Sequence, residues 1–267
     1  MKLSIIIRFM RFHHYTSSNS FIRIWHSQKL LFGDPASVND VLEQSREVSG
    51  SIWQYNTLRQ IQQQSSKFRQ ISLTKDYSEK VLGCMSPMMW GHYGDKGNGV
   101  CIELEWSKLK IPQSVMHGDI KYVCGIPPTP KYPNTLLGAS VQEIRKYLRE
   151  EGQSIFFIKS KDWSYENEYR LVSDSKDSIS IKGAIKRIIV YRWSTIESDI
   201  VLKLIDEHNR NIERSQQIEV CYLYRTEENG ENIFKLMTLQ EMKDKVERSK
   251  ATRGKIIGIN IIPKKDD

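Results

Sequence analysis

The sequence predicts an α+β fold: a single domain in which a mostly antiparallel sheet is flanked by helices. Short strand-like runs alternate with helical stretches along 267 residues, a length that suits one large domain. The pair Asn229-Gly230 is a strong turn signal for an antiparallel hairpin. With 39% hydrophobic and 27% charged residues, the composition is that of a globular chain able to bury a core.

The first quarter of the chain predicts strand, helix, strand and then a helical insert. An apolar strand is expected over 3–15, and Thr16 to Ser18 offer N-cap hydroxyls for a helix at about 19–29. A short strand at 30–32 follows and ends in a Gly-Asp-Pro turn. Residues 38–70 carry apolar side chains at helical spacing and predict the insert, with a break at Ser49-Gly50.

The rest of the chain is richer in strands. Strands are expected at about 70–73, 99–105, 119–123, 167–173, 178–181 and 186–191, and helices at about 140–157 and 195–213. In the second of these strands, Val100, Ile102 and Leu104 alternate with the two-residue period of a half-buried strand. Prolines make 125–135 an irregular loop and a candidate lid. The domain is expected to span 1–237, with a basic helix and tail at 238–267.

Charge, cysteine content and hydropathy limit the classes of function. A net charge of +8 attracts phosphates of nucleic acid, nucleotides or membranes, although a solvated basic face explains it as well. Four cysteines without C-x-x-C spacing predict neither structural zinc nor disulfides, and no metal is expected. The N-terminal apolar run is too short for a signal peptide, and no run approaches a membrane span. The sequence therefore predicts a cytoplasmic protein without membrane contact and leaves its oligomeric state open.

Two glutamates mark the most chemically informative stretch, Trp163 to Arg170. Glu166 and Glu168 are two residues apart and, in a strand, point the same way. Repulsion is expected to raise the pKa of at least one carboxyl, which suits one ionised carboxylate beside another that orients or shuttles a proton. Arg170 projects with them and is expected to neutralise one, which is also what a structural salt bridge looks like.

A second block, residues 88–105, places an aromatic cluster before glycines and a strand. Trp90, His92 and Tyr93 precede three glycines, the last of them Gly99, and glycine suits a sharp turn where backbone approaches a ligand closely. One interpretation is a ligand wall on which Trp90 or Tyr93 stacks on a planar ring and His92 donates a hydrogen bond. The other is a helix end packed by aromatic side chains and joined to a strand by a hairpin.

The opening strand carries the third candidate, His13-His14-Tyr15-Thr16. A histidine at a strand end can present its ring to a cleft, although most lone histidines are structural. Side chains alternate along a strand, so only one of the two histidines faces such a cleft, and we favour His14.

In order and spacing these residues resemble a large bacterial family catalogued as a domain of unknown function, often found near mobile and phage-defence genes. The resemblance rests on His14-Tyr15-Thr16 and on the patterns MWxHYxxxxxGxCI at 89–102 and KxWxxExEYR at 161–170. It extends from about residue 12 to 237. The chain departs from the family after Asn39-Asp40, where the family has Pro-Phe-Glu.

The order of parts is also similar to the ADP-ribosyltransferases, including the DNA-modifying toxins. This resemblance implies their split sheet, with NAD as the substrate. It implies that His14 holds a ribose hydroxyl, that Glu168 binds the ribose 2′-hydroxyl and stabilises an oxocarbenium-like transition state, and that Glu166 orients the acceptor. The residues implied to contact NAD are His14, Tyr15, Thr16, Trp90, His92, Tyr93 and Arg170.

The predicted function is thus an NAD-dependent ADP-ribosyltransferase-like enzyme or toxin in anti-phage defence, with a nucleic-acid or protein acceptor. One alternative is a nuclease or phosphodiesterase that uses His92 or His14 as acid and base and the glutamates or Asp40 as metal ligands. Another is a non-catalytic sensor or interaction module, in which Glu168→Gln changes only stability.

Overall fold

The structure is a computed structural model that describes residues 11–35, 40, 55–191, 196–242 and 244–245. Its strands are β1 (Arg11–Thr16), β2 (Lys29–Leu31), β3 (Arg69–Lys75), β4 (Val100–Glu105), β5 (Met116–Asp119), β6 (Lys121–Val123), β7 (Ile158–Ser160), β8 (Glu168–Ser173), β9 (Ser178–Ser180), β10 (Ile185–Val190), β11 (Glu219–Glu228) and β12 (Glu231–Thr238). Its α-helices are α1 (Ser18–Ser27), α2 (Tyr55–Ser65), α3 (Pro87–His92), α4 (Val141–Glu150), α5 (Gly152–Phe156) and α6 (Ile196–Arg210). Helices flank mostly antiparallel strands, so the α+β prediction is confirmed.

Local sequence signals placed several elements correctly. Ser140 and Glu143 form a reciprocal capping box at the start of α4, with the Ser140 backbone N–H 2.7 Å from Glu143 Oε2. Asn229 and Gly230 both have positive φ, 54° and 81°, as a type I′ turn between β11 and β12 requires. The strand predicted at 119–123 is instead two short strands, β5 and β6.

Parts of three predicted elements lie outside the described residues. These parts are 3–10 of the opening strand, most of the insert at 38–70, and 246–267 of the C-terminal segment. Helix α2 is the described helix of the insert, and residues 239–242 of the C-terminal segment are helical. No helix among the described residues is long and apolar enough to cross a membrane.

Two compact units make up the chain, and each is described by itself. The first takes its residues from Met1–Ser27, Asp76–Ser107 and Gly183–Asp267. Its strands lie in the order β12-β11-β10-β4-β1, and all neighbours are antiparallel except β10 and β11. Helices α1 and α6 meet through Trp25 and His208, whose ring centroids are 5.2 Å apart.

Strand β4 lies between β10 and β1 in the first unit. The prediction of a half-buried strand is wrong, because residues on both of its faces are buried. Glu103 is 1% exposed and is neutralised by Arg187 of β10, whose Nη2 lies 2.6 Å from Glu103 Oε2. A charged residue in an alternating pattern therefore does not mark a solvent face here, because a neighbouring strand supplies the counter-ion.

The second unit takes its residues from Gln28–Lys75 and Lys108–Lys182. Strands β3, β8 and β5 are antiparallel neighbours with β8 in the middle, and short pairs form between β2 and β9 and between β6 and β7. Helices α4 and α5 cover an apolar core in which Phe68 stacks on Phe156 at a centroid distance of 4.7 Å. Strands β7 and β8 of this unit, with the 3-10 helix Lys161–Glu166 between them, carry the charged residues of the candidate site.

Candidate functional site

The two candidate glutamates lie where a 3-10 helix, Lys161–Glu166, meets strand β8 in the second unit. Glu166 is the last residue of that helix, and Glu168 is the first residue of β8. Asn167 between them has φ of 43°, in the left-handed region, which ends the helix and redirects the chain. The prediction that both glutamates stand on one strand is therefore wrong.

Both carboxylates nevertheless meet two buried cations. Lys159 on β7 places its Nζ 2.7 Å from Glu166 Oε2 and 3.8 Å from Glu168 Oε2. Arg170 donates from Nε and Nη2 to the two oxygens of Glu168 at 2.7 and 2.8 Å, and from Nη1 to the Phe156 carbonyl at 2.8 Å. The prediction that Arg170 projects with Glu168 is confirmed, and the pair is bidentate. We call Lys159, Glu166, Glu168 and Arg170 the charge network.

The electrostatics of Glu168 are opposite to the prediction. Burial alone would raise the pKa of this carboxyl, but the charge and hydrogen bonds of Arg170, with Lys159 and the Ser72 hydroxyl, lower it below the usual value. Repulsion was expected to raise the pKa of at least one of the two carboxyls, and for Glu168 the opposite charges dominate over it. The group is an anion at neutral pH.

The charge network is electrically balanced and deeply buried. Its side chains are 4% exposed or less, and two cations face two anions. The half-buried Tyr122 accepts a hydrogen bond from the Glu168 backbone N–H at 2.9 Å. Removing water from four charges is unfavourable unless each is paired, and clusters of this kind occur both as structural ion pairs and at functional sites.

Strand β1, in the first unit, directs its two histidines to opposite sides. His13 is fully buried, and its Nε2 lies 2.8 Å from Asp76 Oδ1, whereas His14 is half-buried. His14 is thus the more accessible, in keeping with the preference for it, although its contact with a ligand stays a prediction. Tyr15 and Thr16 are buried, and Tyr15 donates its hydroxyl to the Gly83 carbonyl at 2.7 Å. Their contacts with NAD stay predictions.

Asp76 organises the surroundings of His13 and was missed from the sequence. Its carboxylate accepts hydrogen bonds from Arg11 Nε and from the Gly83 N–H, both at 2.8 Å. Burial opposes ionisation, but hydrogen bonding and charge from His13, with Gly83 and Arg11, lower the pKa of Asp76. The Cys101 Sγ lies 4.0 Å from His13 Nδ1, and burial raises the pKa of that thiol well above its usual value. Cys101 is therefore a protonated, unreactive core thiol.

Trp90 lies in the core of the first unit. It is 2% exposed, its Nε1–H donates to the Cys84 carbonyl at 2.8 Å, and its ring meets Tyr15 edge-to-face at a centroid distance of 5.1 Å. The interpretation of a helix end packed by aromatic side chains therefore describes Trp90 in this structure, and its implied contact with NAD stays a prediction. His92 is exposed and Tyr93 half-buried, so their predicted contacts stay predictions.

Gly99 does mark a close backbone approach, but the partner is the chain itself. A Cβ at this position would collide with the Thr16 carbonyl oxygen and lie 2.9 Å from the Gly94 carbonyl oxygen. The glycine therefore lets the block pack against the end of β1, rather than against a ligand.

The predicted site residues divide between the units. Glu166, Glu168 and Arg170 come together in the second unit, while His14, Tyr15, Thr16, Trp90, His92 and Tyr93 lie in the first. Sequence reasoning missed Lys159, although a lysine directly after Phe156-Phe157-Ile158 is a signal of a buried charge. Within the described ranges, no group of three or more His, Cys, Asp or Glu side chains is arranged to hold a metal ion.

Comparison with known proteins confirms the resemblance to the uncharacterised family. Residues 89–171 match the family described as protein of unknown function (DUF2971). The match covers nearly all of the block at 88–105 and the whole of the stretch from Trp163 to Arg170. It is narrower than the resemblance predicted over residues 12–237. No curated protein and no solved structure matches the chain.

Proposed function

We propose that the chain is an NAD-consuming, ADP-ribosyltransferase-like enzyme of anti-phage defence, and that its charge network is the reactive centre. The observation that carries the proposal is Glu168. Its carboxylate is ionised, fixed by a bidentate arginine and placed at the start of a late strand. A fixed negative charge of this kind needs no reorganisation when positive charge develops beside it.

The chemistry that fits such a carboxylate is cleavage of the bond between ribose C1′ and the nicotinamide nitrogen. Nicotinamide leaves with the electron pair of that bond, positive charge develops on the ribose, and Glu168 stabilises it. The acceptor then forms a bond to C1′ with its lone pair and loses a proton. Glu166, held 2.7 Å from Lys159, is the candidate for orienting the acceptor.

Access to Glu168 sets a condition on this function. The carboxylate is buried, but it is hydrogen-bonded to the side chain of Ser72, an exposed residue of β3. A ribose hydroxyl that replaces the Ser72 hydroxyl would reach the carboxylate without breaking the pair with Arg170. The split sheet of the transferases remains part of the proposal. So does the role of His14 in holding a ribose hydroxyl, which His14→Ala tests separately.

The experiment is release of labelled nicotinamide from NAD by the full chain, alone and with single-stranded DNA, RNA or cell protein as acceptors. Glu168→Gln should reduce the rate by roughly 100-fold or more, the usual effect of removing one charge-stabilising group. Glu103→Gln is the matched control, because Glu103 is also buried and paired with an arginine. That variant should lose stability but retain activity per folded molecule.

Two results would overturn the proposal. One is folded wild-type protein that releases no nicotinamide with any acceptor. The other is a rate loss in Glu168→Gln no larger than in Glu103→Gln. Cleavage of nucleic acid that EDTA abolishes and Glu168→Gln does not would favour the nuclease alternative instead.

A further inference from the structure

Two aromatic side chains stand on the 3-10 helix that leads into the charge network. Trp163 and Tyr165 are both half-buried, and their ring centroids are 5.9 Å apart with an angle of 37° between the planes. They lie in the second unit, within the segment that matches the family model. We call this pair the aromatic platform.

Lys159 joins the aromatic platform to the charge network. Its Nζ lies 4.7 Å from the centroid of the Trp163 ring and 2.7 Å from Glu166 Oε2. The cation therefore contacts an indole face and a carboxylate at once, and fixes the position of Trp163 relative to Glu166. A planar ring that stacks on this platform would lie next to the two carboxylates.

An exposed cation stands beside the aromatic platform, in a chain whose net charge is positive. Lys161, two residues before Trp163, is exposed, and the chain as a whole carries a net charge of +8. The neighbouring acidic residue Asp162, also exposed, holds the start of the helix: its carboxylate accepts a hydrogen bond from the Ser160 hydroxyl at 3.1 Å, and its own N–H donates to Ser160 Oγ at 3.4 Å. Aromatic faces beside cations are the usual means of holding single-stranded nucleic acid without reading its sequence.

We propose that Trp163 and Tyr165 bind an unpaired base of single-stranded nucleic acid, and so present the acceptor to the charge network. The assignment of the base as an acceptor rests on the proposed function. The binding itself does not, since stacking on aromatic faces needs neither NAD nor turnover.

The test is binding of a short fluorescein-labelled single-stranded oligonucleotide to the full chain without NAD, followed by anisotropy. Base stacking on an aromatic side chain predicts roughly 5- to 100-fold weaker binding for Trp163→Ala and for Tyr165→Ala. Trp163→Phe keeps an aromatic face and should bind within about threefold of the wild type. Tyr55→Ala, which removes a 64% exposed aromatic side chain of the same unit, is the control and should bind normally.

Several outcomes would contradict the assignment. Equal losses for Trp163→Ala and Tyr55→Ala, or a duplex that binds as tightly as the single strand, would show that charge alone holds the nucleic acid. If Trp163→Ala does not fold, Tyr165→Ala and Trp163→Phe decide the question. Displacement of the oligonucleotide by NAD would assign the platform to a ring of NAD and overturn the acceptor role.

The two proposals fail separately. If the chain releases nicotinamide but does not bind the oligonucleotide, the role of the aromatic platform is refuted, and the transferase proposal stands with another acceptor. If binding of the oligonucleotide depends on Trp163 but the chain does not consume NAD, the role of the aromatic platform stands and the transferase proposal is refuted.

Discussion

Replacing Glu168 by glutamine tests how much the charge network stabilises the fold. The substitution keeps the shape of the side chain but removes one of two negative charges, so that Arg170 and Lys159 face Glu166 alone. Removing one partner of a buried ion pair lowers the free energy of unfolding by about 3–5 kcal/mol. At about 2–4 °C per kcal/mol for a chain of this size, the Tm should fall by roughly 6–20 °C.

A double-mutant cycle measures the pair directly. Arg170→Met alone should also be strongly destabilising, because it leaves the Glu168 carboxylate buried against Lys159 only. The double variant Glu168→Gln/Arg170→Met should lose much less than the sum of the single losses, since no uncompensated charge remains from that pair. Calorimetric melts of the four proteins give the coupling. Additive losses, or a loss below about 0.5 kcal/mol for Glu168→Gln, would refute the view that this pair is buried and mutually dependent.

Three further predictions follow from individual side chains. The folded-state pKa of Glu168 is lowered, so its ionised carboxylate stabilises the fold above the unfolded pKa of about 4.3, and this contribution is lost as the pH falls through the folded pKa. The Tm of Glu168→Gln should therefore change less with pH below about pH 4.5 than the Tm of the wild type. Gly99→Ala should lower the free energy of unfolding by about 1–3 kcal/mol or more, because the added Cβ would collide with backbone atoms. Gly91→Ala is the control: no atom lies within 4 Å of its added Cβ, so the substitution should be neutral or slightly stabilising in urea titrations. His13→Ala should destabilise by about 1–3 kcal/mol, because it strips a buried partner from a carboxylate, whereas His14→Ala should change the Tm little.

Secondary structure was predictable wherever the signal is local. The hairpin at Asn229-Gly230 and the helix capped by Ser140 follow from backbone conformations and hydrogen bonds within a few residues. Burial was less predictable. The alternation of Val100, Ile102 and Leu104 indicates a strand, but it does not show that both faces are buried or that Arg187 of the neighbouring β10 neutralises Glu103.

The candidate site illustrates the same limit. Glu166, Glu168 and Arg170 were identified from their spacing, and they do come together. Lys159 was missed because its contacts with Glu166 and Glu168 depend on the course of the chain between β7 and β8, which the spacing of the residues does not show. The sign of the Glu168 pKa shift depends on how burial, which raises the pKa, balances against Arg170 and then Lys159, which lower it, and a strand pattern does not show that balance.

By itself, the sequence determined that this is an α+β chain with two chemically distinctive blocks, because turn residues, caps and hydrophobic periodicity act over short distances. Only the tertiary structure decided what those blocks do physically. It buried Trp90 as a core residue, turned His13 inward to Asp76, and gave the two glutamates cationic partners that make at least Glu168 a stable anion. The reason is that burial and the pairing of His13 with Asp76 depend on residues far apart in the chain, while the charge pairs of the glutamates, although close in sequence, depend on how the strands and the 3-10 helix between them are folded.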